Sequence, residues 1–340
     1  MMTAVRSSPR PRRALLQAAL PWLSLAVFAA MPVVAAAQGA YPAKPIHLIV
    51  AYPPGGLTDT LARAVGDGLS RQLGKTVVVE NKGGAGGIIG TDYVAKAARD
   101  GYTLLMTIPG PITSNLALYK KLPYDPRTDL RPISDIATAR TVLAVHSSVP
   151  AKTVAELLAY ARASPGKLRM GSWGAGTQPH TIQTYLARQY QVDMLHVPYR
   201  GEGPMVTDLL AGQVNVTVGS VTALKQHFAT GKLRPLAVTG TRRAQALPEV
   251  PTFTEAGYAD EPFRLTGPLT LMAPAKTPQE IVDRLGRETA SLVASADMQR
   301  RIVDMGAEPL GTTPAQAEAA YKAYLPVVLK LTADTGVTLD

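Results

Sequence analysis

The 340-residue sequence contains no cysteine. That absence excludes disulfides, thiolate metal sites and a cysteine-linked lipoprotein anchor together. His47, His146, His180, His196 and His227 show no H-E-x-x-H or other metal-ligand spacing, so no metal is expected. No G-x-x-x-x-G-K-[ST] run occurs. In "ENKGGAGGIIG" the dinucleotide spacing fails, because with Gly84 and Gly86 as its first two glycines the third position is Ile89, and Gly90 falls one place late. The G-x-S-x-G elbow is missing too, since Met170 stands two residues before Ser172. After residue 13 no Lys/Arg run is interleaved with aromatics, so nucleic acid is not an expected partner. These gaps argue against an enzyme and against a bound cofactor.

What is present is a globular composition, 46 % hydrophobic and 18 % charged, sufficient for one large core or two of ordinary size. The formal charge of +10 includes Arg6, Arg10, Arg12 and Arg13, and without those four the remaining +6 is spread thinly. The four arginines belong to "MMTAVRSSPRPRR", which precedes the apolar stretch "ALLQAALPWLSLAVFAAMPVV", broken by Pro21 and Pro32, and then Ala35 and Ala37 ahead of Gln38. This pattern predicts a signal peptide over 1–37, cleaved near Ala37/Gln38, and an exported, free and soluble chain. An uncleaved membrane anchor is the alternative reading. "PRRALLQ" has the arginine pair of a twin-arginine signal without its usual flanking residues.

Beyond the leader, short apolar runs alternate with helices. "IHLIVA", "TVVVE", "YTLLMT", "TVLAV", "LRMG", "VNVTV" and "PLAVT" read as strands buried on both faces. Leu61, Val65, Leu69 and Leu73 recur at helical spacing. Thr153, Thr277 and Thr313 are expected N-caps, each with an acid or amide three residues on, and Gly74, Gly212, Gly306 and Gly336 are expected stops. The alternation predicts an α/β fold with parallel-rich sheets.

In such sheets ligands gather where strand ends pass into helix starts. Three glycine loops stand at such places. "YPPGGLTD" brings Pro54, Gly55, Gly56, Thr58 and Asp59 to the start of the first helix, where free amides and the helix dipole suit a carboxylate or phosphate. A tight turn with no ligand is the competing reading. The second loop carries Gly83, Gly84, Gly86 and Gly87; the third, "MGSWGAGTQPH", carries Ser172, Trp173, Gly176, Thr177 and His180. Trp173 is the only tryptophan left once Trp22 departs with the leader, and it is either a clamp over a ligand or an apolar plug between loops. Tyr199 and Arg200 follow a short strand, with Arg200 placed to meet an acidic group unless it is a solvated surface residue.

Long segments of the chain, in order, resemble one family. "YPAKPIHLIVAYPPGGLTDTLAR", "VVVENKGGAGGIIGTDYVAKAARDGYTLL", "LPYDP", "HVPYRGEGPMVTDLLAGQV", "GKLRPLAVTGTRRAQALPEVPTFTEAGY" and "APAKTP" are similar to signatures of the Bug-type extracytoplasmic solute receptors of tripartite tricarboxylate transporters. The resemblance spans residues 41–340 and implies a type II periplasmic binding protein fold, with a hinge crossed twice near residues 140 and 264. Residues 38–139 plus 265–340 would form one domain, and 140–264 an inserted second. It further implies a monomeric receptor that closes on a small carboxylate, held by loop backbone, hydroxyls and water at Pro53–Asp59 and Ser172–His180, and delivers it to a membrane permease. A ligand sensor signalling to a membrane partner is the alternative, and an exported enzyme using Asp59, His180 and Asp208 the more distant one. Pro268, Thr270, Lys276 and Trp173 depart from the family's usual residues, so the ligand's identity does not carry over.

Overall fold

The computed structural model describes residues 41–199 and 201–339. The expected leader and Arg200 lie outside them. The strands are β1 (Ile46–Val50), β2 (Val77–Asn81), β3 (Thr103–Thr107), β4 (Leu130–Ala139), β5 (Thr141–His146), β6 (Leu168–Ser172), β7 (Met194–Pro198), β8 (Val216–Ser220), β9 (Leu233–Val238), β10 (Gly267–Pro274) and β11 (Ala307–Pro309). The helices are α1 (Leu57–Leu73), α2 (Ile88–Ala95), α3 (Pro109–Ile112), α4 (Asn115–Leu118), α5 (Pro126–Asp129), α6 (Val154–Ala163), α7 (Gln178–Tyr190), α8 (Glu202–Leu210), α9 (Val221–Ala229), α10 (Glu261–Arg264), α11 (Gln279–Ala294), α12 (Ala296–Asp304) and α13 (Pro314–Ala333).

They build two sheets, in the orders β11-β4-β10-β3-β1-β2 and β7-β6-β8-β5-β9. Both are mixed where parallel-rich sheets are expected. β1 runs parallel to β2 and β3, and β6 to β7 and β8, but β10 is antiparallel to β3 and β4, and β5 to β8 and β9. The reversal has a topological cause: β4 leads directly into β5 in the other sheet through Arg140, and β10 returns the chain, so β5 and β10 run against the βαβ strands they border. β4, β10 and β11 escaped the sequence reading. "LRPISDIATA" and "GPLTLMAP" carry proline and polar residues inside the strand, which weakens the apolar signal.

β5 shows why its apolar run is continuous. Val142 and Ala144 enter a core with α8 and α9, while Leu143 and Val145 enter the core that α6 and α7 cover on the other face. Both faces of the strand are dry from Val142 to Val145, so every position there is apolar. On α1, Leu61, Val65, Leu69 and Leu73 are all buried, and Gly74 ends the helix in the left-handed conformation. Thr153 and Thr313 cap α6 and α13, the latter in a reciprocal capping box with Gln316. Thr277 does not cap α11. Pro278 takes the N-cap position with ψ 139°, outside the helix, and the Thr277 hydroxyl donates instead to the Pro274 carbonyl at 2.8 Å.

Candidate functional site

Because β1, β2 and β3 are mutually parallel, the loops leaving their carboxyl ends share one edge of the first sheet; the same holds for β6, β7 and β8 in the second. The three glycine loops lie on these two edges. Pro54, Gly55 and Gly56 are exposed, and no atom stands within 4 Å of where a β-carbon on either glycine would project. Gly55 has φ +91°, a conformation that glycine adopts without strain. Gly56 is the N-cap of α1 at φ −83°, and α1 begins with no side-chain cap, leaving the first-turn amides for water or a ligand.

Asp59 is not free to receive a proton or a ligand cation. The residue is only 4 % exposed, and its carboxylate accepts from Gly55 N–H at 2.9 Å, Asn81 Nδ2 at 2.9 Å and Arg63 Nε at 3.2 Å. Burial alone would raise its pKa, yet the hydrogen bonds from Gly55, Arg63 and Asn81 and the Arg63 charge together lower it. It is the staple of the first loop. Thr58 beside it is buried. Arg63 and Asn81 were not found by sequence reasoning, although Arg63 stands one helical turn from Asp59.

The second glycine loop is drawn close by packing. A β-carbon on Gly83 would stand 2.9 Å from the Pro53 nitrogen, and one on Gly87 2.4 Å from Pro111 Cγ. Gly86, at φ +61°, gives its carbonyl to Asn115 Nδ2 at 3.2 Å. Its missing side chain would face Tyr119 and Asn115. From α4 the contacts continue to the second sheet: a β-carbon on Gly176 would meet Leu118 Cδ1 at 2.5 Å. A line of contacts thus runs from the first loop through the second to the third.

In the third loop Ser172 is fully buried. Its Oγ is bonded to Gly174, through the carbonyl at 3.1 Å and the N–H at 3.3 Å, and to His196 Nε2 at 2.7 Å. Thr177 donates to the Gly174 carbonyl at 2.6 Å and is the N-cap of α7, which also begins without a side-chain cap. Gly176 N–H donates to His180 Nδ1 at 3.0 Å. Burial lowers the pKa of His180. Trp173 is half-buried, as is Tyr199. The Tyr199 amide donates to the Ser172 carbonyl at 2.9 Å, and its hydroxyl to Asp208 at 2.7 Å. Burial, then Asp208, pushes that phenol up to about 12. α8 likewise starts uncapped at Gly201. Asp59, His180 and Asp208, the groups an enzyme would use, are each engaged with separate partners. No group of three or more His, Asp or Glu side chains suited to a metal occurs among the described residues.

Comparison with known proteins agrees with this architecture. Residues 61–322 match the tripartite tricarboxylate transporter family receptor. Protein BugT of Bordetella pertussis is 36 % identical over 277 residues, 81 % of this chain and 84 % of that protein. Three solved structures are also similar. R. palustris Rpa4515 with adipate has a TM-score of 0.76 at 34 % identity, covering 88 % of this chain and 99 % of that one. The periplasmic binding protein BugD has a TM-score of 0.72 at 34 % identity with the same coverage. MatC from Rhodopseudomonas palustris with bound malate has a TM-score of 0.70 at 27 % identity, covering 86 % and 100 %. The chain belongs to the tripartite tricarboxylate transporter receptor family, as a Bug-type solute-binding receptor with a periplasmic binding protein fold.

Proposed function

We propose that the protein is exported to the periplasm, captures a small carboxylate as a monomer and delivers it to a tripartite tricarboxylate-type membrane permease. The observation that carries this reading is the set of uncapped helix starts along the two ligand edges. α6, α9, α12 and α13 are capped by Thr153, Ser220, Ser295 and Thr313. α1, α2, α7 and α8 begin without such a cap beside positive-φ glycines, two at each sheet's ligand edge. Their free amides and aligned dipoles favour an anion. The adipate and malate named for Rpa4515 and MatC support a carboxylate as that anion.

In this reading residues 38–139 plus 265–340 form one domain and 140–264 the other, and the ligand bridges them. Pro54, Gly55, Gly56, Thr58 and Gly86 receive one end of the ligand. Trp173, Gly176, Thr177, His180 and Tyr199 receive the other, with Arg200 as the candidate cation, while Asp59 and Ser172 hold their loops in shape. A bridging ligand stabilises the closed form by its differential affinity for it. Calorimetric titration with adipate, malate, citrate, glutamate and benzoate tests the proposal. Saturable binding of at least one acid is expected, weakened by Trp173→Ala. If the whole panel fails to bind while neutral amides or sugars do, the carboxylate assignment is wrong.

A further inference from the structure

His180 and His196 lie face to face, ring centroids 3.7 Å apart and planes 5° from parallel. Each ring also grips one end of the same loop. His196, on β7, is bonded through Nε2 to Ser172 Oγ at 2.7 Å, where the loop leaves β6. His180, in the first turn of α7, accepts the Gly176 N–H at 3.0 Å, where the loop enters the helix. Between these points lie Trp173, Gly174 at φ +145° and Ala175.

The donor pattern determines the protonation of one ring. Gly176 N–H needs a lone pair on His180 Nδ1, so the neutral ring carries its proton on Nε2. Two stacked cations at this separation would repel, and burial together with its neighbour His180 holds His196 down at about 4, so both rings are neutral at pH 7. A neutral stack is rigid and apolar on its faces while each edge holds a polar group of the loop.

We propose that His196 and His180 are positioning residues that clamp both ends of the Ser172–Gly176 loop and so orient the backbone offered to the ligand. The ligand-facing part of this statement rests on the carboxylate-receptor reading above; the clamp itself does not. β7 thereby contributes to the site through a residue that need not touch the ligand. The clamp also explains why Ser172, buried and saturated with hydrogen bonds, sits in a binding loop without being available to bind.

The test is made on ligand-free full-length chain carrying Trp22→Phe, so that Trp173 is the only tryptophan. His196→Phe keeps a flat ring against His180 but removes the bond to Ser172, whereas His196→Gln restores a polar reach without the ring. Expected is an increase of about twofold in acrylamide quenching of Trp173 in His196→Phe, partly reversed in His196→Gln, as a freed loop end becomes locally mobile. Thermal unfolding should remain a single transition in all three. Histidine-selective 1H–15N correlation spectra should show His180 with its proton on Nε2. Unchanged quenching in His196→Phe, or a His180 proton on Nδ1, overturns the clamp. Because both measurements omit ligand, they fail or succeed independently of the acid panel.

Discussion

Leu118 on α4 fills the space beside Gly176 so closely that a β-carbon there would lie 2.5 Å from Leu118 Cδ1 and 2.6 Å from Cδ2. Gly176 itself holds φ +70°. Leu118 stands on the helix after the first sheet's β3 and α3, and Gly176 on a loop of the second sheet, so this glycine is required both by its backbone and by its neighbour. Gly176→Ala is expected to cost about 1–2 kcal/mol through the positive φ and to push the two halves apart. Small-angle X-ray scattering should record a larger radius of gyration; an unchanged radius with normal ligand affinity would show that the contact does not limit closure.

Adjacent glycines in the first loop should separate backbone strain from ligand access. Gly55 at φ +91° and Gly56 at φ −83° both face open space. Gly55→Ala should lose about 1 kcal/mol in urea denaturation, and Gly56→Ala much less. For any acid that binds the wild type, Gly56→Val should weaken affinity far more than stability. Equal losses of both would make Gly56 a turn residue only.

Removing the first loop's staple gives a third expectation. Asp59→Asn keeps an oxygen for Gly55 N–H but loses the ionic bonds to Arg63, and should destabilise the fold by about 1–3 kcal/mol. Its folded pKa is lowered, so the wild-type contribution is present above the unfolded carboxyl pKa and is lost as pH falls through the folded value. The variant should therefore show a shallower decline on acidification below about pH 4. An identical acid limb in both proteins would contradict this assignment.

The histidine stack adds a separate acid-sensitive term. His196 shifts from 6.5 down to about 4 in the folded protein. Between those values the unfolded chain binds the proton and the folded chain does not, so stability should fall as pH drops from 6.5 to 4. Buried Asp135 and Glu202, with pKa raised by burial, act in the opposite direction. The informative quantity is hence the difference from His196→Phe, whose stability should be flatter across that window. Parallel curves would mean that His196 titrates normally.

At the crossing between the sheets, Arg140 reaches Glu308 of β11 at 2.9 Å and donates to the Thr239 carbonyl at 3.1 Å, with both charged side chains buried. A β-carbon on Gly240 would collide with the guanidinium. Arg140→Met should cost about 3–5 kcal/mol by leaving Glu308 buried with only the more distant Arg242. Arg140→Met combined with Glu308→Leu should recover part of that loss. A double variant worse than the single one would indicate that packing, not charge, is at stake.

Much of this molecule was written in local pattern. The buried face of α1, the Thr153 and Thr313 caps, the stop at Gly74 and the strands buried on both faces depend on residues near one another in the chain, where periodicity and capping chemistry act directly. The glycine loops were legible for the same reason: a strand, bare backbone and a helix start follow one another within a few residues. The tertiary structure alone decided the rest. That Asp59 is bound by Asn81, that His196 stacks on His180, that Leu118 presses on Gly176 and that Arg140 finds Glu308 all depend on residues brought together from distant parts of the chain or from different sheets. No spacing encodes such pairs, because Asp59 and Asn81, or His180 and His196, meet only once a helix has packed on its own sheet, and Leu118 and Gly176 only once the chain has crossed between the sheets.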